Sequence, residues 1–152
     1  MKWKEQNRNL GGARWAAAVP TRVFNDARAA TSFADDDVAK LFAEINGHLK
    51  AANLNKTDAL NWPVFMCHIA RPLDVPIYDV NVWVAWGVLA EWMTPDLLRL
   101  RPTEFSTYLE YRDWFNDLVT RHGVDHRELD RALMAFGQFV TSPLGRALMP
   151  IR

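Results

Sequence analysis

The segment that decides the fold reads Val75-Pro76-Ile77-Tyr78-Asp79-Val80-Asn81-Val82-Trp83. Its proline makes a rigid entry, and Asp79 then stands where the N-cap of a helix is expected, a position that favours Asp. The helix is predicted to run from residue 80 to about residue 92. Unpaired backbone N–H groups and the helix dipole keep a carboxylate ionised at such a position. The segment therefore predicts an anionic side chain at the mouth of a groove.

The sequence after this segment predicts a short helical turn that starts at Thr94 and two longer amphipathic helices. Thr103 is expected to cap the first long helix, and Gly123 is its expected C′ residue. Asp125 and Glu128 have the three-residue spacing of a capping box and open the second. The inward positions at helical spacing are Phe105, Tyr108, Leu109, Phe115, Leu118, Val119, Leu129, Leu133, Phe136 and Val140.

The sequence before the segment predicts helices as well. Residues 13–30 are rich in Ala, and Pro20 should break or kink the helix there. A second helix opens on three aspartates at 35–37, which favour a helix N-terminus. Its apolar residues recur at helical spacing: Val38, Leu41, Phe42, Ile45 and Leu49.

A further helix is predicted to end near Ala70, with Thr57 or Asn61 as its cap. Residues 71–76 are expected to be extended, because the residue before each proline avoids the helical conformation. Residues 75–78 are the one place where a short strand is compatible with the sequence. The predicted fold class is therefore all-α, a compact multi-helix domain over residues 13–152 behind an N-terminal arm over residues 1–12.

Composition sets limits on the class of protein. The chain has 152 residues, 49% of them hydrophobic and 24% charged, which is typical of a folded domain and not of a disordered chain. Its 18 Lys and Arg balance its 18 Asp and Glu, so no overall field attracts nucleic acid. DNA binding would then depend on a local basic patch and should be weak.

Several other features bear on location and chemistry. Cys67 is the only cysteine, which excludes an intrachain disulfide and predicts a small buried apolar side chain. The first residues are polar and lack the apolar core of a signal peptide, and the longest apolar stretch, residues 82–90, is too short to span a bilayer. We therefore expect a cytoplasmic protein without a membrane partner. His122 and His126 flank Gly123, but no further ligand stands at suitable spacing, so neither a metal nor a cofactor is expected.

The central segment resembles the helix-hairpin-helix DNA glycosylases. The 8-oxoguanine DNA glycosylase branch has a run of the form Pro-Val-Asp-Val-His-Met-Trp. The present run has one extra residue after Pro76 and keeps the spacing from Asp79 to Trp83. The preceding run is also similar to the short helix and proline found before this turn in bacterial relatives: Met66-Cys67-His68-Ile69-Ala70-Arg71-Pro72.

The resemblance implies a helical glycosylase core and removal of a damaged or modified base that is flipped out of DNA. Asp79 would be the catalytic carboxylate that stabilises positive charge developing on the sugar. Lys56 is the candidate amine nucleophile, and Asn81 would approach a phosphate of the DNA. The other candidate substrate-binding residues are Tyr78, Trp83 and His68.

The sequence also departs from this family. The specific match covers roughly twenty residues, and no glycine occurs between Gly47 and Gly87, although the family's hairpin carries Gly-x-Gly amides that hold a phosphate. Lys56 stands a few residues too far from Asp79. These departures leave open a second interpretation, in which Asp79 is only a helix cap.

In that interpretation the chain is a non-catalytic module that binds DNA or a protein on a degenerate glycosylase scaffold, with a regulatory role or a place in a defence locus. The chain has seven tryptophans, and Trp3 and Trp15 lie near the predicted arm. Exposed tryptophans there would favour a protein partner or a homodimer.

Overall fold

A computed structural model of the chain describes residues 15, 17–31, 33–55, 59–100, 103–149 and 151. All regular secondary structure among these residues is helical, which confirms the all-α prediction. The predicted N-terminal arm and Lys56 lie outside the described residues. Contacts divide the chain into two compact units, with the boundary between Val75 and Pro76. None of the described helices has the length and apolar character needed to cross a membrane.

In the part of the first unit that the structure describes, three helices each pack against the other two: α1 (Thr21–Ala29), α2 (Asp35–Ala51) and α3 (Asn61–Ala70). Pro20 is the N-cap of α1, so the predicted break at this proline is confirmed. The aspartates occupy the first turn of α2, as predicted, and the Asp37 carboxylate accepts a hydrogen bond from the Ala34 amide at 3.1 Å. The apolar stripe of α2 lies in the core, except that Phe42 is half-buried.

The start of α3 differs from the prediction. Asn61 is the first helical residue and not the cap, since Leu60 occupies the N-cap position and makes no side-chain capping bond. The other expected cap, Thr57, lies outside the described residues. Leu60 is instead almost fully buried, so apolar burial and not capping accompanies the start of this helix.

The link after α3 was expected to be extended, and this prediction is wrong. Arg71 does avoid the helical region, as the rule for residues before proline requires. The next residues fold back, because the Asp74 and Val75 amides both donate to the Arg71 carbonyl, at 3.2 and 2.9 Å. The Arg71 side chain holds this turn through Asp74 Oδ2 at 2.8 Å and the Ala30 carbonyl at 2.8 Å. The short strand considered for residues 75–78 does not form either.

The second unit contains α4 (Val80–Leu89), a 3₁₀ turn (Leu97–Arg99), α5 (Phe105–His122), α6 (His126–Thr141) and α7 (Pro143–Leu148). Helix α4 packs along α6, and α6 packs against α7. Helix α4 ends earlier than residue 92, because Glu91 takes a left-handed conformation with φ of 62°. Thr103 does not cap α5; Glu104 occupies that position without a side-chain capping bond.

The predictions at Gly123 and Asp125 in the second unit are confirmed. Gly123 ends α5 in the left-handed region with φ of 62°, where a residue without Cβ is favoured. Asp125 caps α6 by accepting from the Arg127 and Glu128 amides. Ser142 caps α7 through the Gly145 amide at 3.0 Å.

The core of the second unit is aromatic. Helix α4 is buried on most of its circumference, which is typical of a helix at the centre of a packed unit. Trp86 lies at the centre of this aromatic core. Its ring centroid is 4.9 Å from that of Trp92, 5.6 Å from that of Tyr111 and 5.9 Å from that of Trp83. On α5 the predicted inward residues Tyr108 and Phe115 are buried, whereas Phe105, Leu109, Leu118 and Val119 are half-buried.

Candidate functional site

Asp79 caps helix α4, as predicted from the sequence. Its Oδ1 accepts hydrogen bonds from the backbone amides of Asn81 at 2.9 Å and Val82 at 3.0 Å. Its carbonyl accepts the first helical bond, from the Trp83 amide at 2.8 Å. Only 7% of the residue is exposed, and Oδ2 accepts no hydrogen bond from the described residues. One carboxylate oxygen is thus bonded to the helix, and the other is left without a donor among the described residues.

The turn that delivers Asp79 is held by side chains of α5 and α6. The Ile77 amide donates to Asp130 Oδ1 at 3.1 Å. The Tyr108 hydroxyl lies 3.5 Å from the Pro76 carbonyl, at the long limit of a hydrogen bond. Each bond satisfies a backbone group that would otherwise be buried without a partner.

A glycine lets α6 approach the other side of the cap. A Cβ placed on Gly137 would lie 1.9 Å from the Asn81 carbonyl oxygen and 2.9 Å from its Cα. These are backbone atoms that cannot rotate away, so only glycine fits here. The missing side chain is what lets the backbones of α4 and α6 meet.

Asp130 is itself a buried carboxyl group, with 5% of the residue exposed. Burial raises its pKa to about 7, and the hydrogen bond from the Ile77 amide lowers the pKa in part. The group therefore carries a proton over part of the neutral range, unlike an ordinary aspartate.

Two tyrosines close to the cap carry buried hydroxyls. The hydroxyls of Tyr78 and Tyr111 make no hydrogen bond to any residue that the structure describes, and their ring centroids lie 5.2 Å apart. Burial raises both pKa values above the ordinary range; the charge of Glu110 adds to the effect at Tyr78, and that of Asp130 at Tyr111. Both side chains are therefore neutral phenols that can donate or accept a hydrogen bond.

Removal of the Tyr111 hydroxyl should stabilise the protein. An unsatisfied buried hydroxyl costs about 1–2 kcal/mol, so Tyr111→Phe is expected to raise the free energy of unfolding by about that amount. Urea unfolding of the two proteins measures the difference. Thr141→Val is the contrast, because its hydroxyl donates to the Gly137 carbonyl at 2.9 Å and its loss should not be stabilising. A clear loss of stability in Tyr111→Phe would show that an ordered water satisfies the hydroxyl.

The structure brings four of the candidate residues together at the start of α4. Asn81 is half-buried and contributes its backbone to the cap. Trp83 packs its ring 4.6 Å from that of Trp92, and its Nε1 lies 3.5 Å from the Leu97 carbonyl. Tyr78 and Trp83 are both buried, at 2% and 8% exposure, and lie in the aromatic core instead of on an open surface.

The remaining candidates are placed elsewhere or not described. His68 belongs to the first unit, where its Nδ1 lies 2.7 Å from the Val75 carbonyl and its ring stacks on Phe65. Lys56 lies outside the described residues. Cys67 is buried, and burial raises the pKa of its thiol well above the usual range, so it behaves as the apolar side chain that was predicted.

Sequence reasoning missed Asp130, Gly137 and Tyr111. A signal for the first two was present, because residues 130, 133, 137 and 140 share one face of a helix. An aspartate and a glycine on the same face as Leu133 and Val140 indicate a polar contact and a close approach inside the core. Tyr111 carried no such signal, since its neighbours on α5 are equally aromatic.

Among the described ranges, no group of three His, Cys, Asp or Glu side chains is placed to hold a metal ion. The site therefore consists of one capping carboxylate, a second buried carboxyl group and two neutral phenols.

Comparison with protein-family models, with curated proteins and with solved structures finds no match for this chain.

Proposed function

We propose that this protein is a DNA-glycosylase-like base-excision protein in which Asp79 is the catalytic carboxylate. The observation that carries the proposal is that the two oxygens of that carboxylate have different contacts. Oδ1 is fixed by two backbone amides, and Oδ2 accepts no hydrogen bond from the described residues. A rigidly held carboxylate suits the stabilisation of a developing cation when one of its oxygens accepts no hydrogen bond from the described residues.

The chemistry follows from this arrangement. The electron pair of the N-glycosidic bond leaves with the flipped base, and positive charge develops on the sugar. The carboxylate stabilises that charge, water adds to the sugar carbon, and the proton of the water goes to the departing base. The order of elements along the chain agrees with the resemblance: helices α2 and α3, a proline-containing turn, and an Asp at the start of α4.

A second candidate function is supported by the burial of the site. Asp79 is 7% exposed, and the candidate stacking residues Tyr78 and Trp83 lie in the core. A base that must reach Oδ2 would have to displace part of this packing. This burial favours a non-catalytic module that binds DNA or a protein partner, in which Asp79 is only a cap.

Substitution of Asp79 distinguishes a catalytic role from a purely structural role as a helix cap. Asp79→Asn should fold normally, because Asn caps a helix about as well as Asp. If Asp79 is catalytic, the same variant should lose base release by roughly a hundredfold or more, since a neutral amide cannot stabilise the sugar cation. Asp79→Ala should lose the activity and also about 1 kcal/mol of stability.

Two measurements are needed on each protein. Thermal unfolding measures the contribution of the cap to stability. Base-excision activity is measured as release of free base from oligonucleotides that carry 8-oxoguanine, uracil, alkylated or hypermodified bases. Asp125→Asn is the matched control, because Asp125 makes the same pair of capping bonds at α6. Full activity in Asp79→Asn would reject the catalytic role, and DNA binding without base release by the wild type would favour the second candidate.

A further inference from the structure

Helix α6 contacts the Asp79 turn at two points that lie on either side of the cap. Asp130 accepts from the amide of Ile77, two residues before Asp79. Gly137 packs on the backbone of Asn81, two residues after Asp79. The two α6 residues are seven positions apart and so lie on one face of the helix. One rigid element thus fixes the backbone before and after the capping carboxylate.

We propose that Asp130 is a positioning residue for Asp79, and that its protonated form is the one that keeps the turn closed against α6. The Asp130 carboxyl group acts through the Ile77 backbone, whose amide donates to its Oδ1. Both protonation states keep an oxygen that can accept from this amide. They differ in charge, and the charged form is the one that burial disfavours.

Among the described residues, no cationic side chain contributes to the shift of the Asp130 pKa. Tyr111 approaches from α5, and the charges of Asp130 and Asp79 both raise its pKa. Helix α4 carries no ionisable side chain, and α7 carries Arg146. Burial raises the pKa of Asp130 to about 7, and the hydrogen bond from the Ile77 amide opposes this rise.

The direction of the pH dependence follows from linkage. Opening of the turn returns Asp130 to water, where its pKa falls back to the ordinary value of 3.8. At pH values between these two pKa values, the closed turn binds one proton more than the open turn. The closed state is therefore favoured most at pH values below 4, and this advantage is lost progressively as the pH rises to about 7.

Amide hydrogen exchange of the full chain tests the proposal without any assay of base excision. After correction for intrinsic exchange, the protection of the Ile77, Asn81 and Val82 amides should fall about tenfold per pH unit between pH 5 and pH 7 and level off above pH 8. Asp130→Asn keeps the accepting oxygen and removes the titration. Its protection at these amides should be the same at every pH and should match the low-pH value of the wild type.

Two controls make the result specific. Glu128→Gln changes an exposed carboxylate on the same helix and should leave the wild-type profile intact. Amides in the middle of α5 should keep their protection while those of the turn lose it. Three results would overturn the proposal. They are amide protection that does not change with pH in the wild type, the same pH profile in Asp130→Asn, and an equal loss of protection across α5.

Under the proposed function, the same titration would regulate the enzyme. Base release should then decline between pH 5 and pH 7 in the wild type relative to Asp130→Asn. This consequence rests on the glycosylase proposal, whereas the exchange profile does not. Failure of the base-release assay alone would therefore leave the positioning role of Asp130 standing.

Discussion

Gly137→Ala is expected to destabilise the second unit by about 3 kcal/mol or more, a large part of the stability of a typical domain. The new Cβ would overlap the Asn81 carbonyl oxygen at 1.9 Å, so α4 and α6 would have to separate. Their separation would also strain the Asp79 cap, which uses the Asn81 amide. Urea unfolding followed by circular dichroism measures the change.

The matched control is Gly47→Ala. Gly47 lies inside α2, and a Cβ there would meet nothing within 4 Å. Alanine has the higher helix propensity, so this substitution should stabilise the protein by about 0.5–1 kcal/mol. Substitutions with similar effects at the two positions would show that α4 and α6 are not in backbone contact.

Trp86→Ala is expected to cost about 3–5 kcal/mol, the range for truncation of a large buried aromatic residue. The Trp86 ring packs against four others, those of Trp83, Trp92, Tyr111 and Trp114. Its loss would leave a cavity between α4 and α5 that these rigid rings cannot fill by small rotations. The same unfolding assay reports the loss, and near-ultraviolet circular dichroism reports the disordered ring packing.

Leu89→Ala is the control on the same helix. Leu89 is 51% exposed, so its truncation should change the free energy of unfolding by no more than about 0.5 kcal/mol. If Trp86→Ala cost no more than this control, the aromatic cluster would not be the centre of the core.

The features that were predicted from sequence are those with a local cause. Asp79 and Asp125 cap helices because each side chain reaches amides two and three residues ahead, and that geometry needs no tertiary contact. Gly123 ends α5 for an equally local reason, its left-handed backbone. The helical periodicity of α2 likewise identified its buried face.

Two of the features that were missed depend on distant partners. The turn after α3 is held in part by the Arg71 guanidinium, which donates to the Ala30 carbonyl, far away along the chain. Asp130 acquires its role only when Ile77 is folded beside it. Local propensity carries no information about such partners, and so the candidate site was predicted around Asp79 without the helix that holds it.

The contact of α6 with the Asp79 turn also gives this architecture a fingerprint by which diverged relatives can be recognised. Asp130 and Gly137 are two helical turns apart, about 10.5 Å along the axis; Asp130 contacts Ile77 inside the Pro-x-x-Asp turn, and Gly137 contacts Asn81, two residues after its Asp. The two motifs constrain each other through these backbone contacts. A homologous chain that keeps the contacts is expected to pair Pro-x-x-Asp with a later Asp-x₆-Gly helix. Loss of one motif should accompany loss of the other.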